Sequence, residues 1–389
     1  MSTSLPSITK QSATRELADI RHLFVGLVCV LLCVGVQMVH SASLSSMPGQ
    51  REYVFLHKHL AFLLVSVISA VLVSRIDASF WQKHAWTLWM IFLALVVAVL
   101  IPGIGTRVNG AQRWLRAGGL SIQPSELGRL VMPMLAARIL CDLRTSAGFG
   151  LKTIPITFAP LIALPFVIAE PDLGATVFLG TSFVLALFLG GWPLKYFLTI
   201  AALAVPAAIS LLALKSYQLK RIAGFVAAWQ DLSQAPWQIR QSLMSMGSGG
   251  LQGTGIGGGF QKLSYLPEAN TDFVFAVVGE ELGLAGTLTI VVVWLGVYLT
   301  GRASLRDLPK RSFAYIFGST LVIQMTLQAL ANVAVVTAMV PPKGVPHPFI
   351  SYGGTNLLVN VTAVGLIVGL SRSEQKNSAA KPVNEVTMT

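Results

Sequence analysis

Charge is what this 389-residue chain lacks. Asp, Glu, Lys and Arg make up 11% of it, where a soluble domain carries about 25%. So few charged groups cannot cover a water-facing surface, which argues against a soluble globular domain. Cysteine is scarce too. Of the three, Cys29 and Cys33 fall four apart in the first apolar run and would share a helix face. Neither a redox Cys-x-x-Cys motif nor a metal ligand set results, and no disulfide framework is legible; packing is the reading of both. A cleavable leader is not read either. The polar start, 1–21, is too long and too charged for one, so the first apolar helix is expected to be a retained anchor.

What is present is apolar. Hydrophobic residues make up 54%, and mean hydropathy is +0.69. Runs of about 20 apolar residues, the length that crosses a hydrocarbon core, recur along the chain. They predict an all-α polytopic membrane protein of about ten transmembrane helices. The runs lie at about 22–41, 59–74, 86–102, 126–140, 153–169, 173–190, 194–214, 272–299, 312–338 and 355–370. Tails at 1–21 and 372–389 flank a membrane domain at 22–371, and a large loop, 215–271, joins helices seven and eight. Sixteen lysines and arginines fall on the side of both termini. Eleven fall on the other, five of them in the large loop. Basic connections mark the cytoplasmic side, which puts both termini there and the large loop outside. The net charge of +12 then reflects orientation and anionic lipid rather than nucleic acid.

Six of the 16 acidic residues lie in or at the edge of a run: Glu126, Glu170, Asp172, Asp272, Glu280 and Glu281. An ionisable group at membrane depth is by default functional or paired; a structural ion pair is the bland alternative for each. The polar weight falls in four outer segments. In the first, Gln123-Pro-Ser-Glu126 reads as a helix start, with Pro in the first turn and Glu at the positive end. Arg113 and Arg116 are three apart there; with Trp114 they would equally serve as headgroup contacts and interfacial anchor. In the second, Asp172 sits in the tight reversal Glu170-Pro-Asp-Leu-Gly, as a helix cap or a site carboxylate.

The third segment is the large loop. Its glycine-dense middle, 247–259, can bring backbone N–H groups to a phosphate or act as a linker; it is read as the mobile part that admits substrate. Gln261, Lys262 and Glu268 follow, then Asp272 where the polar loop meets the next apolar run. Partial desolvation there raises a carboxylate toward the range of a general base. The fourth segment, Pro341 to Thr355, carries four prolines and Lys343 and reads as a stiff surface lining protein or water.

Eight motifs now stand in order over about residues 20–372. They are Gln123-Pro-Ser-Glu, Pro171-Asp-Leu-Gly, Gly247-Ser-Gly-Gly, Gln261-Lys, Leu266-Pro-Glu, Thr271-Asp-Phe-Val-Phe-Ala, Glu280-Glu-Leu-Gly and Phe349-Ile-Ser-Tyr-Gly-Gly. Together they resemble the SEDS family of shape, elongation, division and sporulation proteins, and within it the FtsW and SpoVE branch. The resemblance implies a ten-helix fold in the bacterial cytoplasmic membrane. It implies a peptidoglycan glycosyltransferase that polymerises lipid II, the undecaprenyl-pyrophosphate-linked disaccharide-pentapeptide, at the outer face, with cell division the expected setting. Implied partners are a class B penicillin-binding protein, which crosslinks the strands, and other divisome or elongasome membrane proteins.

The family's essential aspartate falls on Asp272, and its polar pair on Glu126 and Arg129, with Arg where relatives usually carry Lys. Asn270, Pro236-Trp237-Gln238, His347 and Asn356 also depart from the usual residues. In the implied reaction Asp272 deprotonates an acceptor hydroxyl, and Arg113, Arg221, Lys262 and Lys343 are the outer cations available to a pyrophosphate. Substrate contacts are further expected from Trp114, Glu126, Arg129, Asp172, Gln261, Ser351, Tyr352, Gly353 and Gly354. No metal ligand set is legible; the pyrophosphate leaves room for a divalent cation, magnesium or manganese. Two other classes remain open. A lipid II flippase or transporter would use the same intramembrane charges, and a non-catalytic scaffold would recruit the crosslinking enzyme.

Overall fold

In hydrocarbon a backbone can satisfy its N–H and C=O groups only inside helices or closed barrels, and the apolar runs fold accordingly. The computed structural model describes residues 5–43, 51–108, 111–117, 120–146, 148–199, 202, 225–226, 229, 231–260, 266–341 and 343–380. Three long helices open the chain: α1 (Leu5–Ala42), α2 (Arg51–Val73) and α3 (Ala78–Leu100). A small antiparallel sheet follows, formed by β1 (Gly105–Val108), β2 (Ala111–Ala117) and β3 (Leu120–Ile122) with β2 in the middle. Next come α4 (Pro124–Ser146), the short α5 (Ile154–Thr157) and α6 (Leu164–Ala169), and α7 (Leu173–Leu189). The chain ends with α8 (Trp237–Gly249), α9 (Val274–Ser304), α10 (Phe313–Val336) and α11 (Gly354–Ala380).

Among the described residues, six helices are long and apolar enough to cross a membrane unaided: α1, α2, α3, α9, α10 and α11. The chain is a multi-pass helical membrane protein. α11 and α10 are largely enclosed by other helices, whereas α2 lies at the rim with Leu64, Ile68 and Leu72 more than half exposed. α4 carries too many charged residues to look like a span, yet 13 of its residues are buried.

The run at 153–169, expected as one helix, is broken. It consists of a 3-10 turn at Leu151–Thr153, α5, a second 3-10 turn at Ala159–Ala163, and α6. Pro155, Pro160 and Pro165 stand in the first turns of successive pieces. Each removes an N–H from the helical ladder and disfavours helix in the residue before it. The sheet was not expected either, because Ala111-Gln-Arg-Trp-Leu-Arg-Ala shows no clean alternation. Most of the run at 194–214 lies outside the described residues; 194–199 is helical.

Helices in lipid gain nothing by hiding apolar surface from one another, so they associate through close backbone approach and polar contacts. α2 and α11 show both. A Cβ on Gly365 would stand 2.3 Å from the Ala70 carbonyl oxygen, and one on Gly369 would lie 3.1 Å from Ser74. The hydroxyls of Ser69 and Thr362 meet at 2.9 Å. Gly365→Val is therefore expected to part these helices and lower the melting temperature in detergent, at a cost of about 1–3 kcal/mol from overpacking. An unchanged melting curve would refute the contact.

Candidate active site

Segments far apart in sequence enclose one polar cavity of about 610 Å³. Its walls come from β2, the start of α4, the reversal before α7, residues 268–273 before α9, and the segment from Gly344 to Asn356. α8 adds Gln238 and α10 adds Gln328.

Asp272 lines this cavity two residues ahead of α9. Its stretch of chain is tied down from two directions. The Asn332 amide of α10 donates to the carbonyls of Asp272 and Val345, at 2.7 Å each. The Tyr352 N–H donates to the Asn270 carbonyl at 2.8 Å. The proline-rich segment is thus laced against the aspartate. Gly344 leaves room for the carboxylate, because a Cβ there would stand 2.5 Å from the Asp272 Oδ2 and push it aside. Burial, then the negative charges of Glu268 and Asp172, push the Asp272 carboxyl up to about 7, with Arg113 opposing them. A base with that value is half deprotonated near neutral pH and well matched to take a proton from a hydroxyl.

Asp172 faces the same cavity. It caps α7, accepting from the Ala175 N–H at 3.0 Å through Oδ1. Its Oδ2 accepts from Gln123 Nε2 at 2.8 Å and lies 3.6 Å from Arg113 Nη1. Cap and cavity carboxylate are therefore one group. Arg113 also donates to the Pro171 carbonyl at 3.4 Å. Just behind, Glu170 is fully buried. No hydrogen bond reaches either of its oxygens; Ser125 is close enough to soften its shift but not in bonding geometry. Burial, then the charge of Asp172, push Glu170 up to about 8, so it carries its proton at pH 7.

The inner end of the cavity is a network of charge and amide. Arg129, 2% exposed, donates to Glu126 Oε2 at 2.9 Å and to Oε1 of Gln328. Asn356 Nδ2 donates to the same Glu126 oxygen at 3.2 Å. Gln328 Nε2 reaches the Pro346 carbonyl at 2.7 Å.

Of the residues singled out in the sequence, Arg113, Trp114, Glu126, Arg129, Asp172, Asp272, Tyr352 and Gly353 line the cavity. Ser351 and Gly354 stand behind its wall: the Ser351 hydroxyl accepts from the His347 N–H at 2.7 Å, and Gly354 packs on Phe62. Lys343 lies beside Gly174, its Cε 3.4 Å from where a Cβ there would stand. Arg221, Gln261 and Lys262 lie outside the described residues. Gln328 and Asn332 were not singled out. Gln324, Gln328 and Asn332 recur every four residues, a spacing that puts three amides on one helix face and could have flagged α10.

The glycine-dense stretch differs most from its expected role. The N–H groups of Gly257 and Phe260 donate to Glu281 Oε2 at 3.0 Å and Glu280 Oε1 at 2.6 Å. Those of Thr254 and Gly255 donate to the Glu280 and Glu281 carbonyls at 2.9 and 3.0 Å. Two carboxylates thus occupy donors that a phosphate would have used, and no residue of 250–260 lines the cavity.

A helical bundle enclosing a polar cavity, with a carboxyl of raised pKa in its wall, defines a multi-pass membrane protein with one enclosed polar site. Over residues 21–376 the chain matches the FtsW, RodA and SpoVE family, described as cell cycle proteins, and it belongs to that family. It is 36% identical over 365 residues to the probable peptidoglycan glycosyltransferase FtsW of Trichlorobacter lovleyi, across 92% of this chain and 94% of that one. The protein of the same name from Nitrosococcus halophilus is 37% identical, across 88% and 90%. Among solved structures, a chain from a peptidoglycan synthase complex that coordinates polymerization and crosslinking superposes with a TM-score of 0.70. It is 24% identical and is covered to 96%, against 90% of this chain. The rod shape determining protein RodA of Thermus thermophilus gives 0.64 at 22% identity, across 90% of this chain and 95% of that one.

Gly344→Ala is expected to fold normally while displacing the Asp272 carboxylate, so activity should fall with the melting temperature unchanged. A fully active variant would show that the aspartate does not depend on that space. Glu170 gives a separate expectation. Its native value stands above its unfolded one, so the fold loses stability as pH rises from about 4.5 to about 8. Glu170→Gln should remove that part of the slope in melting curves taken across the range. An identical slope would show that Glu170 does not titrate there.

Proposed function

We propose that the chain is a peptidoglycan glycosyltransferase that polymerises lipid II into glycan strands. One observation carries the reading: a carboxyl with a value of about 7, Asp272, lines a cavity that also holds the guanidinium groups of Arg113 and Arg129. The curated relatives named as probable peptidoglycan glycosyltransferases support it. In the proposed step Asp272 takes the proton of an acceptor sugar 4-hydroxyl. That oxygen bonds to the anomeric carbon of the growing chain as the bond to undecaprenyl pyrophosphate breaks. Charge develops on the departing pyrophosphate, and Arg113 and Arg129 are the cavity cations proposed to stabilise it. One base and one displacement give inversion at the anomeric carbon. Retention would need a second carboxylate acting as nucleophile; Glu268, which accepts from the Thr271 hydroxyl at 2.9 Å, is the acid at the loop's end that would have to serve. A divalent cation, magnesium or manganese, enters this reading only with the substrate's pyrophosphate.

The proposed setting is the bacterial cytoplasmic membrane in division, with both termini cytoplasmic and the cavity opening outward. The crossings are taken as ten, counting α4, the broken 151–169, α7 and the run at 194–214. A class B penicillin-binding protein is the proposed partner, supported by the likeness to a chain of a synthase complex that also crosslinks.

Purified Asp272→Asn and Asp272→Ala, given lipid II, should polymerise at least about 100-fold more slowly, the lower range for loss of a general base. The wild type should gain activity as pH rises through about 7, because only the deprotonated carboxylate accepts the proton. Long glycan from both variants on a gel would sink the assignment. A transport reading retains the Glu126–Arg129 pair as its observation. Fluorescent lipid II crossing proteoliposomes that hold Asp272→Asn, with no glycan made, would favour it.

A further inference from the structure

α9 is two helices joined at a break. Gly283, at φ 65° and ψ −164°, interrupts it. Before the break, every residue from Val274 to Glu281 is buried. After it, residues 284–304 run about 31 Å at 1.5 Å per residue, enough alone to cross a hydrocarbon core of about 30 Å. Leu284, Leu288, Val292, Leu295 and Leu299 form an exposed stripe along that part, from 49% to 66% exposed. Their spacing of three and four is one helix face, and in a membrane this face meets lipid.

The glycine-dense loop docks at the top of that stripe. The Leu284 and Ala285 N–H groups donate to the Gly250 and Leu251 carbonyls at 2.9 and 3.2 Å. From there to Phe260 the loop is fastened to Glu280 and Glu281 as described above. Ser41, at the end of α1, donates to Glu281 Oε1 at 2.5 Å. The loop therefore sits where two spanning helices leave the hydrocarbon. It has no charge: none occurs between Arg240 and Lys262. It nonetheless turns large apolar side chains outward. Leu251 is 71% exposed, Ile256 59% and Phe260 72%.

We propose that loop 250–260 is an interfacial lipid-binding element, with Leu251, Ile256 and Phe260 seated among the phospholipid acyl chains of the leaflet on the cavity side. Continuity with the lipid-facing stripe selects lipid as the occupant. The buried glutamate pair follows from the same placement. Backbone N–H groups shielded from water must find acceptors within the protein, and Glu280 and Glu281 supply them. The loop continues directly from α8, which gives Gln238 to the cavity, so its seating sets the height of that wall above the lipid. The insertion does not depend on which substrate the cavity takes.

The test places a nitroxide at single cysteines in the full chain, with Cys29, Cys33 and Cys141 replaced by Ala, in phosphatidylcholine–phosphatidylglycerol nanodiscs. Leu251→Cys, Ile256→Cys and Phe260→Cys are compared with Val292→Cys on the lipid-facing stripe and Ser233→Cys in the charged part of the loop. Melting curves confirm that each variant is folded. At the three loop sites, relaxation by oxygen should exceed relaxation by a water-soluble nickel chelate, as at Val292→Cys and opposite to Ser233→Cys. Nickel-dominated relaxation would overturn the proposal. Immobile spectra shielded from both relaxants would also overturn it, marking a protein contact instead.

Discussion

A guanidinium at membrane depth must be paired, and Arg129 sets the terms for the helices around it. An unpaired buried ion costs several kcal/mol. Arg129 on α4 meets Glu126 one turn earlier and Gln328 on α10, while Asn356 on α11 donates to the same Glu126 oxygen. Three elements are thereby keyed to one charge. Sliding α10 or α11 by a residue would take Gln328 or Asn356 away from the pair. The inner end of the cavity is the place where those obligations are met.

The outer end obeys the same rule with backbone instead of charge. The segment from Val345 to Tyr352 is not helical, so its carbonyls need donors. Gln328 and Asn332, one turn apart on α10, supply them to Pro346 and Val345. Asn332 extends the same amide to the carbonyl of Asp272. The acid therefore takes its place from a helix that was already fixed by Arg129. Electrostatic order at the inner end becomes geometric order at the outer one.

Six spans were legible because length and hydropathy report directly on the cost of exposing backbone and side chains to lipid. Asp272 was legible because a carboxylate at the edge of an apolar run has few bland explanations. Gln328 and Asn332 were not singled out, since one amide in an apolar run carries no sign of which carbonyl it serves. The sheet was hidden because its central strand, Ala111–Ala117, shows no clean alternation of apolar and polar residues. The run at 153–169 read as a helix because hydropathy averages over its three prolines. The contacts of the glycine-dense loop were not legible for a different reason. Glycine permits many backbone paths, and what selects one here is a pair of acids some 20 residues further along the chain.

That pair imposes an order on how the protein is made. The chain emerges from its N-terminus, so the loop exists before the acids that fasten it. Until then its Gly257 and Phe260 N–H groups lack the carboxylates that accept from them in the fold. When α9 follows, two adjacent carboxylates arrive at buried positions near the start of a spanning helix. Meeting the waiting loop resolves both problems at once. Closure of the loop therefore waits on α9, because the Gly257 and Phe260 N–H groups meet their carboxylate acceptors only once Glu281 and Glu280 have been made.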